Sequence, residues 1–299
     1  MIFNPASTFP KALFLALVLR LSLAGAKTNP VWTAPQKPFR IVDNLYYVGS
    51  RDLACFLITT PAGNILINAN LESSPPQIRK SIETLGFGWA DTKILLNSQA
   101  HFDHLAGAAA ILQQTGAKLM VMDGDVSVAE SGGASDFAAL PRFPPVHVSR
   151  TLYDGDIIEL GGVKLIAHKT PGHTRGCTTF TMQVSYAGRA LNVVIIGGFA
   201  ALDSYRLVAT PRQPASYPGI AQDFEHTFAI LRELPCDIFL GAHGDYFDMQ
   251  EKLRRRHDQS PALWIDPEGY HRTVAEAQQK FEQRLQSEQA KSQSRASNE

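Results

Sequence analysis

One stretch, residues 93–107, constrains this chain more than any other. Ile94, Leu95 and Leu96 form an apolar run rich in strand formers, and it ends at Asn97 and Ser98, where a loop should begin. From Leu105 the sequence turns Ala-rich and apolar through Leu112, the composition of a helix. Gln99, His101, Asp103 and His104 therefore sit in a strand-to-helix loop. A loop need not alternate side chains between two faces as a strand must, so these groups can converge on a point. Imidazole nitrogen and carboxylate oxygen suit zinc, and open catalytic zinc sites take three protein ligands plus water. A lone His-x-Asp-His could equally be the polar start of a helix facing water.

Two further histidines favour the metal reading. His173, within Pro171-Gly172-His173-Thr174-Arg175-Gly176, follows a strand-like run carrying Val163, Leu165 and Ile166. His243, within Gly241-Ala242-His243-Gly244, follows Ile238, Phe239 and Leu240. Ligands delivered from several strand ends to one edge of a sheet are what a rigid scaffold with functional loops provides. His147, His168, His226, His257 and His271 lie outside these loops and read as surface or satisfied core histidines, and the run Arg254 to Arg256 as solvated.

Elsewhere the chain reads as follows. Residues 1–26 carry Lys11 ahead of an apolar run over 12–19 and end in Ala24-Gly25-Ala26, a small-x-small cleavage pattern. They read as a secretory signal peptide cut after Ala26, with an uncleaved amphipathic anchor as the alternative; Arg20 argues against a membrane-spanning helix. Residues 27–299 read as a single domain of two halves, 39–150 and 151–270. Strands are expected over 39–48, 55–59, 64–68, 118–122, 157–160, 163–167, 180–184 and 192–196, with a helix over 77–85 and another carrying Phe224, Phe228 and Leu231 on one face. A C-terminal helix over 273–285 and a disordered polar tail close the chain. The pattern fits an α/β fold of two sheets packed face to face under outer helices. With 28 basic and 28 acidic residues and no long basic run, neither nucleic acid nor an anionic membrane surface is expected as a partner. Cys55, Cys177 and Cys236 do not have zinc-finger spacing, and the sequence leaves a Cys55 to Cys236 pairing open.

From about Trp32 to the C-terminal helix these features resemble the metallo-β-lactamase superfamily, and within it subclass B3. The signature loop of that family reads His-x-His-x-Asp-His. The resemblance also runs through 44–49, 52–68, Ser131 to Asp136, and Leu234-Pro235-Cys236-Asp237. Gln99 stands where the signature has its first His, a variant known in part of the subclass.

The resemblance implies a four-layer αββα sandwich with Gln99, His101 and His173 at one zinc and Asp103, His104 and His243 at another, so one or two Zn2+ per chain. It further implies hydrolysis of a small-molecule β-lactam by a metal-bound hydroxide oriented by Asp103, in a periplasmic monomer without membrane attachment once the signal peptide is cut. An amide oxygen is a poorer zinc donor than imidazole, so the first site should bind more weakly than the second. Tyr205 falls where the subclass has a tyrosine near the tetrahedral oxyanion, or is a groove-wall aromatic.

Serines that hold the substrate carboxylate in much of the subclass are replaced by Gly198-Phe199-Ala200-Ala201; Arg206 or Arg212 offers a charge-assisted contact if it is not merely solvated. Phe102 and Trp89 are candidates for groove wall or core. Related enzymes can carry a disulfide from the position of Cys236 to the C-terminal helix, but this helix has no cysteine, so none is expected. Two rival functions remain. A lactonase or glyoxalase-II-like thioesterase would use a bridging aspartate just after the strand over 192–196, where no carboxylate occurs. A relative that holds zinc without turnover is the other.

Overall fold

The computed structural model describes residues 29–255 and 260–296; the expected signal segment and His257 lie outside them. Strands β1 (Phe39–Val42), β2 (Leu45–Tyr47), β3 (Phe56–Thr60), β4 (Gly63–Ile67), β5 (Thr92–Leu96), β6 (Lys118–Met122) and β7 (Arg150–Leu152) form one seven-stranded sheet in that order. Strands β8 (Asp156–Leu160), β9 (Val163–Lys169), β10 (Thr178–Tyr186), β11 (Arg189–Ile196) and β12 (Ile238–Gly241) form a second, ordered β12-β11-β10-β9-β8. Both sheets are mixed: β1 to β4 pair antiparallel and β4 to β7 parallel, while in the second sheet β11 and β12 are the parallel pair.

Period-two patterning explains the layers. Phe56 and Ile58, Ile65 and Ile67, Ile94 and Leu96, and Met120 and Met122 enter the same core as Leu165, Phe180 and Val193 of the second sheet. The intervening Leu57, Leu66, Leu95, Leu119 and Val121 point to the opposite face and enter a separate core with helix residues Ile78, Ile82 and Ile111. The first sheet is therefore buried on both sides. Parallel pairs need crossover connections, and helices supply them. Following α1 (Pro30–Thr33), α2 (Pro75–Thr84) joins β4 to β5, while α3 (Phe102–Leu105) and α4 (Ala108–Thr115) join β5 to β6. Next, α5 (Val126–Glu130) lies between β6 and β7, and α6 (Ile220–Glu233) between β11 and β12. On α6, Phe224, Phe228 and Leu231 fall at helical spacing and are all buried, and each such burial contributes roughly 1.5–3 kcal/mol. The outcome is the αββα arrangement expected from the sequence.

The C-terminal part differs from expectation. After α7 (Met249–Arg254), α8 runs over Pro267–Ala296, so residues 286–296 of the stretch read as a disordered tail continue the helix, and the rest of that stretch lies outside the described residues. The hold on this part of the helix is polar, through Arg284, Glu288 and Ser292, and apolar periodicity is blind to it. Trp89 is 6% exposed within the core under the helices and is not a groove wall. Cys55, Cys177 and Cys236 are buried free thiols, so the pairing left open by the sequence is not made. Among the described residues no helix is long and apolar enough to cross a membrane.

Gly107, at the start of α4, fixes how closely the signature helices approach the loop after β4. Its amide donates to Asn70 O (3.0 Å), and a Cβ there would lie 2.3 Å from Ala69 O and 2.9 Å from Leu71 O. Backbone oxygens cannot give way as side chains do. Gly107→Ala is therefore expected to destabilise the chain by about 1–3 kcal/mol. The check is a lower urea midpoint at unchanged slope; an unmoved midpoint would mean that the approach is looser than described.

Candidate metal centre

Three loops at the C-terminal ends of β5, β9 and β12 carry the candidate residues. The β5 loop is fixed before α3 begins. Asn68, in the left-handed region at φ 70°, turns its side chain to accept from Ser98 N and Ser98 Oγ (both 3.0 Å). The His104 carbonyl accepts from the amides of Ala69 (2.9 Å) and Asn70 (3.2 Å). Asp103 and His104 thereby leave the first turn of α3 toward the sheet edge, and both are buried.

One cluster is tight. His104 Nε2 and His243 Nε2 lie 3.1 Å apart, and Asp103 Oδ2 is 3.3 Å from the first and 3.6 Å from the second. Ligand atoms of all three residues fall within 4.8 Å of one another. The ring of His243 is aimed by Asp52, whose Oδ2 accepts from His243 Nδ1 (2.9 Å) and from Trp32 Nε1 (3.1 Å), while Oδ1 accepts from Asp245 N (3.2 Å). That leaves His243 Nε2 to face His104. Burial disfavours charge on His243, but hydrogen bonds and attraction to Asp103 and Asp52 outweigh it and push its pKa up to about 9. Burial also opposes charge on Asp103, yet His104 and His243 hold its carboxyl well below the usual range. Without metal His243 therefore carries a proton on Nε2 that a cation must displace; once it is displaced, a buried carboxylate between two imidazole nitrogens is a ready cation site.

A second group lies beside it. The rings of His101 and His173 meet edge to face with centroids 4.7 Å apart. His173 Nδ1 donates to Ala200 O (2.7 Å), which fixes the tautomer that leaves Nε2 as the free lone pair. Burial pulls both imidazoles down, His173 to about 4 and His101 well below its ordinary value, so both are neutral near pH 7, as ligands must be. Gln99 is fully buried and donates from Nε2 to Gly197 O (2.9 Å), while its Oε1 has no partner. An orphaned buried acceptor costs about 1–3 kcal/mol, and a cation would meet it. These residues fit zinc.

Several positions escaped sequence reasoning. Asp125, wholly buried, ties the two loops of this second group together. Its Oδ2 accepts from Ala100 N (2.9 Å) and Thr174 Oγ1 (2.7 Å), and its Oδ1 from Gly176 N (2.8 Å). Burial pushes its pKa up to about 6 against those donors. Asp52, Trp32 and Tyr246 were likewise missed as site residues. Trp32 lies against both Phe102 (6.2 Å) and His243 (5.8 Å), and Tyr246 against both His243 (5.2 Å) and Phe199 (4.6 Å), forming an aromatic wall to which Phe102 does contribute.

Tyr205, expected near the oxyanion or as a groove-wall aromatic, lies beside His101 and His173. It is 3% exposed, and its hydroxyl donates its one proton to His173 O (2.6 Å), with His101 Nε2 3.4 Å away. In this arrangement the phenol braces His173. Arg206 is exposed and donates from Nε to Pro214 O (2.9 Å). His168, expected to be a bystander, bonds Thr181 Oγ1 (2.8 Å) across to β10.

Residues 51–243 match the family model of the metallo-beta-lactamase superfamily, and the chain belongs to that superfamily. Among solved structures it is similar to the native FEZ-1 metallo-beta-lactamase from Legionella gormanii, at 47% identity and a TM-score of 0.81 over 86% of this chain and 98% of that one. It is also similar to the class B3 di-zinc metallo-beta-lactamase LRA-12 from an Alaskan soil metagenome, at 38% identity and a TM-score of 0.81 over 87% and 98%. A hydroxyacylglutathione hydrolase from Maricaulis maris (strain MCS10) is 27% identical over 184 residues, 61% of this chain. The match spans only 56% of the length of that curated relative.

Asp52→Ala removes the acceptor that aims His243. Supporting contacts of this kind are worth about tenfold to a hundredfold in metal affinity. Zinc titration of the metal-free variant should show the tighter step weakened by that factor; a titration superimposable on the parent would deny Asp52 this role.

Proposed function

We propose that the chain is a zinc-dependent β-lactamase of subclass B3 carrying Gln99 in place of the first signature histidine. The observation that carries this reading is the convergence of His104 Nε2, His243 Nε2 and Asp103 Oδ2 on one point, beside neutral His101 and His173 and the partnerless amide oxygen of Gln99. Asp103, His104 and His243 would hold one zinc, and Gln99, His101 and His173 a second, more weakly bound one. When bound, zinc lowers the pKa of water toward neutrality and polarises a carbonyl. Asp103, held anionic, orients the attacking water by accepting its proton in a hydrogen bond. The wall of Trp32, Phe102 and Tyr246 excludes solvent from that encounter. Asp52 keeps His243 Nδ1 protonated, so Nε2 remains the donor toward the metal.

The substrate class is supported by the near-complete match to β-lactamases at up to 47% identity. The glyoxalase-like alternative, favoured by the curated relative, lacks its bridging carboxylate here. At the equivalent place stands Gly198, and a Cβ on it would lie 2.7 Å from the His173 ring, so a larger residue would collide with a proposed ligand. The substrate is a small molecule, and export to the periplasm is proposed from residues 1–26.

The test is an activity panel with nitrocefin, a carbapenem, a lactone and a glutathione thioester. β-Lactam hydrolysis should dominate, vanish in equilibrated chelator and return with zinc. Thioester or lactone turnover without β-lactam hydrolysis would replace this reading with the rival one. Full β-lactamase activity in protein from which metal analysis finds zinc removed would sink the mechanism.

A further inference from the structure

Residues 197–209 leave β11 and cross beside the His101 and His173 group without forming a helix or any strand pairing, the next bridge being at Thr210. On one side this loop is bonded to the site. Gly197 O accepts from Gln99 Nε2, Ala200 O accepts from His173 Nδ1, and Tyr205 Oη donates to His173 O. Its remaining backbone groups need partners elsewhere, and α8 supplies them.

Arg284 donates from Nη1 to Leu202 O (2.8 Å) and Ala201 O (3.3 Å), and from Nη2 to Asp203 O (3.4 Å) and Tyr205 O. Glu288 Oε2 accepts from Leu207 N (2.7 Å) and Val208 N (3.1 Å), while its Oε1 pairs with Arg284 Nε (3.0 Å). One turn further on, Ser292 Oγ donates to Ala209 O (3.2 Å). The three side chains recur every four residues, on one helix face, in a segment otherwise exposed beyond Leu285. A planar guanidinium has donors enough for several carbonyls at once, and a carboxylate can take two amides.

We infer that Arg284, Glu288 and Ser292 are positioning residues: a clamp through which the C-terminal helix fixes the 197–209 loop, and through it the His173 ring and the groove wall. Arg284 holds Ala201 and Leu202, immediately next to the Ala200 carbonyl that aims His173. Releasing the clamp frees that carbonyl, so His173 loses its fixed orientation and the loop its shape. The Asp103, His104 and His243 cluster has no hydrogen bond to this loop among those described; it meets the loop only through Tyr246 against Phe199, and Asp52 rather than the loop orients His243, so its zinc step is expected to hold. The inference rests on the metal-site assignment proposed above, but its main readouts need no β-lactam turnover.

The experiment compares the full-length parent with Arg284→Ala, Glu288→Gln and, should Arg284→Ala not fold, Arg284→Lys, which keeps the charge and loses the fork. Hydrogen exchange should accelerate at least tenfold at the amides of residues 201–209 while β10 and β11 stay protected. Zinc titration of metal-free protein should weaken the weaker step by tenfold or more and leave the tighter step in place. With a β-lactam that is turned over, KM should rise more than kcat falls. Unchanged exchange in the loop would overturn the inference, as would a loosened loop with both zinc steps unaltered. Acceleration spread evenly over the chain would assign Arg284 to general stability and also overturn it. If no β-lactam is hydrolysed, the exchange and titration results still decide the clamp.

Discussion

The structure depends on a local electrostatic demand: two imidazole nitrogens 3.1 Å apart and a carboxylate oxygen within 3.6 Å of both at one sheet edge, with Asp103 and His104 buried and His243 half-buried. Taking such groups out of water is costly unless their charges and lone pairs are answered. The rest of the molecule answers them in layers. Asp52 orients His243, the carbonyls of Gly197 and Ala200 orient Gln99 and His173, and Asp125 joins the β5 and β9 loops. The two sheets supply the rigidity that holds three separate strand ends in register. A metal ion is the natural counterpart of this arrangement.

Within that frame the two groups of ligand candidates are unlike. The Asp103 cluster contains an anionic carboxylate and a carboxylate-aimed histidine whose proton a metal would displace. The Gln99 group is built from neutral donors, an amide oxygen and imidazoles kept uncharged by burial. Coulomb attraction for a divalent cation therefore favours the first strongly. The amide is anchored through its nitrogen and its oxygen is left free, which is the geometry of a weak ligand.

Much of this was legible in the sequence because it is written locally. Unbroken apolar runs over Phe56 to Ile58, Ile65 to Ile67 and Ile94 to Leu96 announce strands buried on both faces, and polar residues packed just after apolar runs mark the candidate loops. What stayed hidden is written across distance. Asp52 meets a histidine 191 positions away, and Asp125 meets Thr174 49 positions away; neither aspartate has a local signature. Tyr205 was placed by resemblance alone, and the direction of its hydroxyl is set by the His173 carbonyl. The end of α8 was misread as a tail because Arg284, Glu288 and Ser292 hold it by hydrogen bonds that apolar periodicity does not register.

The central claim is that the chain offers two unequal sites, with Asp103, His104 and His243 filling first. Stepwise zinc addition to metal-free protein labelled with nitrogen-15 at its histidines, followed through the ring nitrogen resonances, tests this directly. The account predicts that the first equivalent shifts His104 and His243 and leaves His101 and His173 largely unmoved until the second. Perturbation of His101 and His173 by the first equivalent, ahead of His104 and His243, would contradict it.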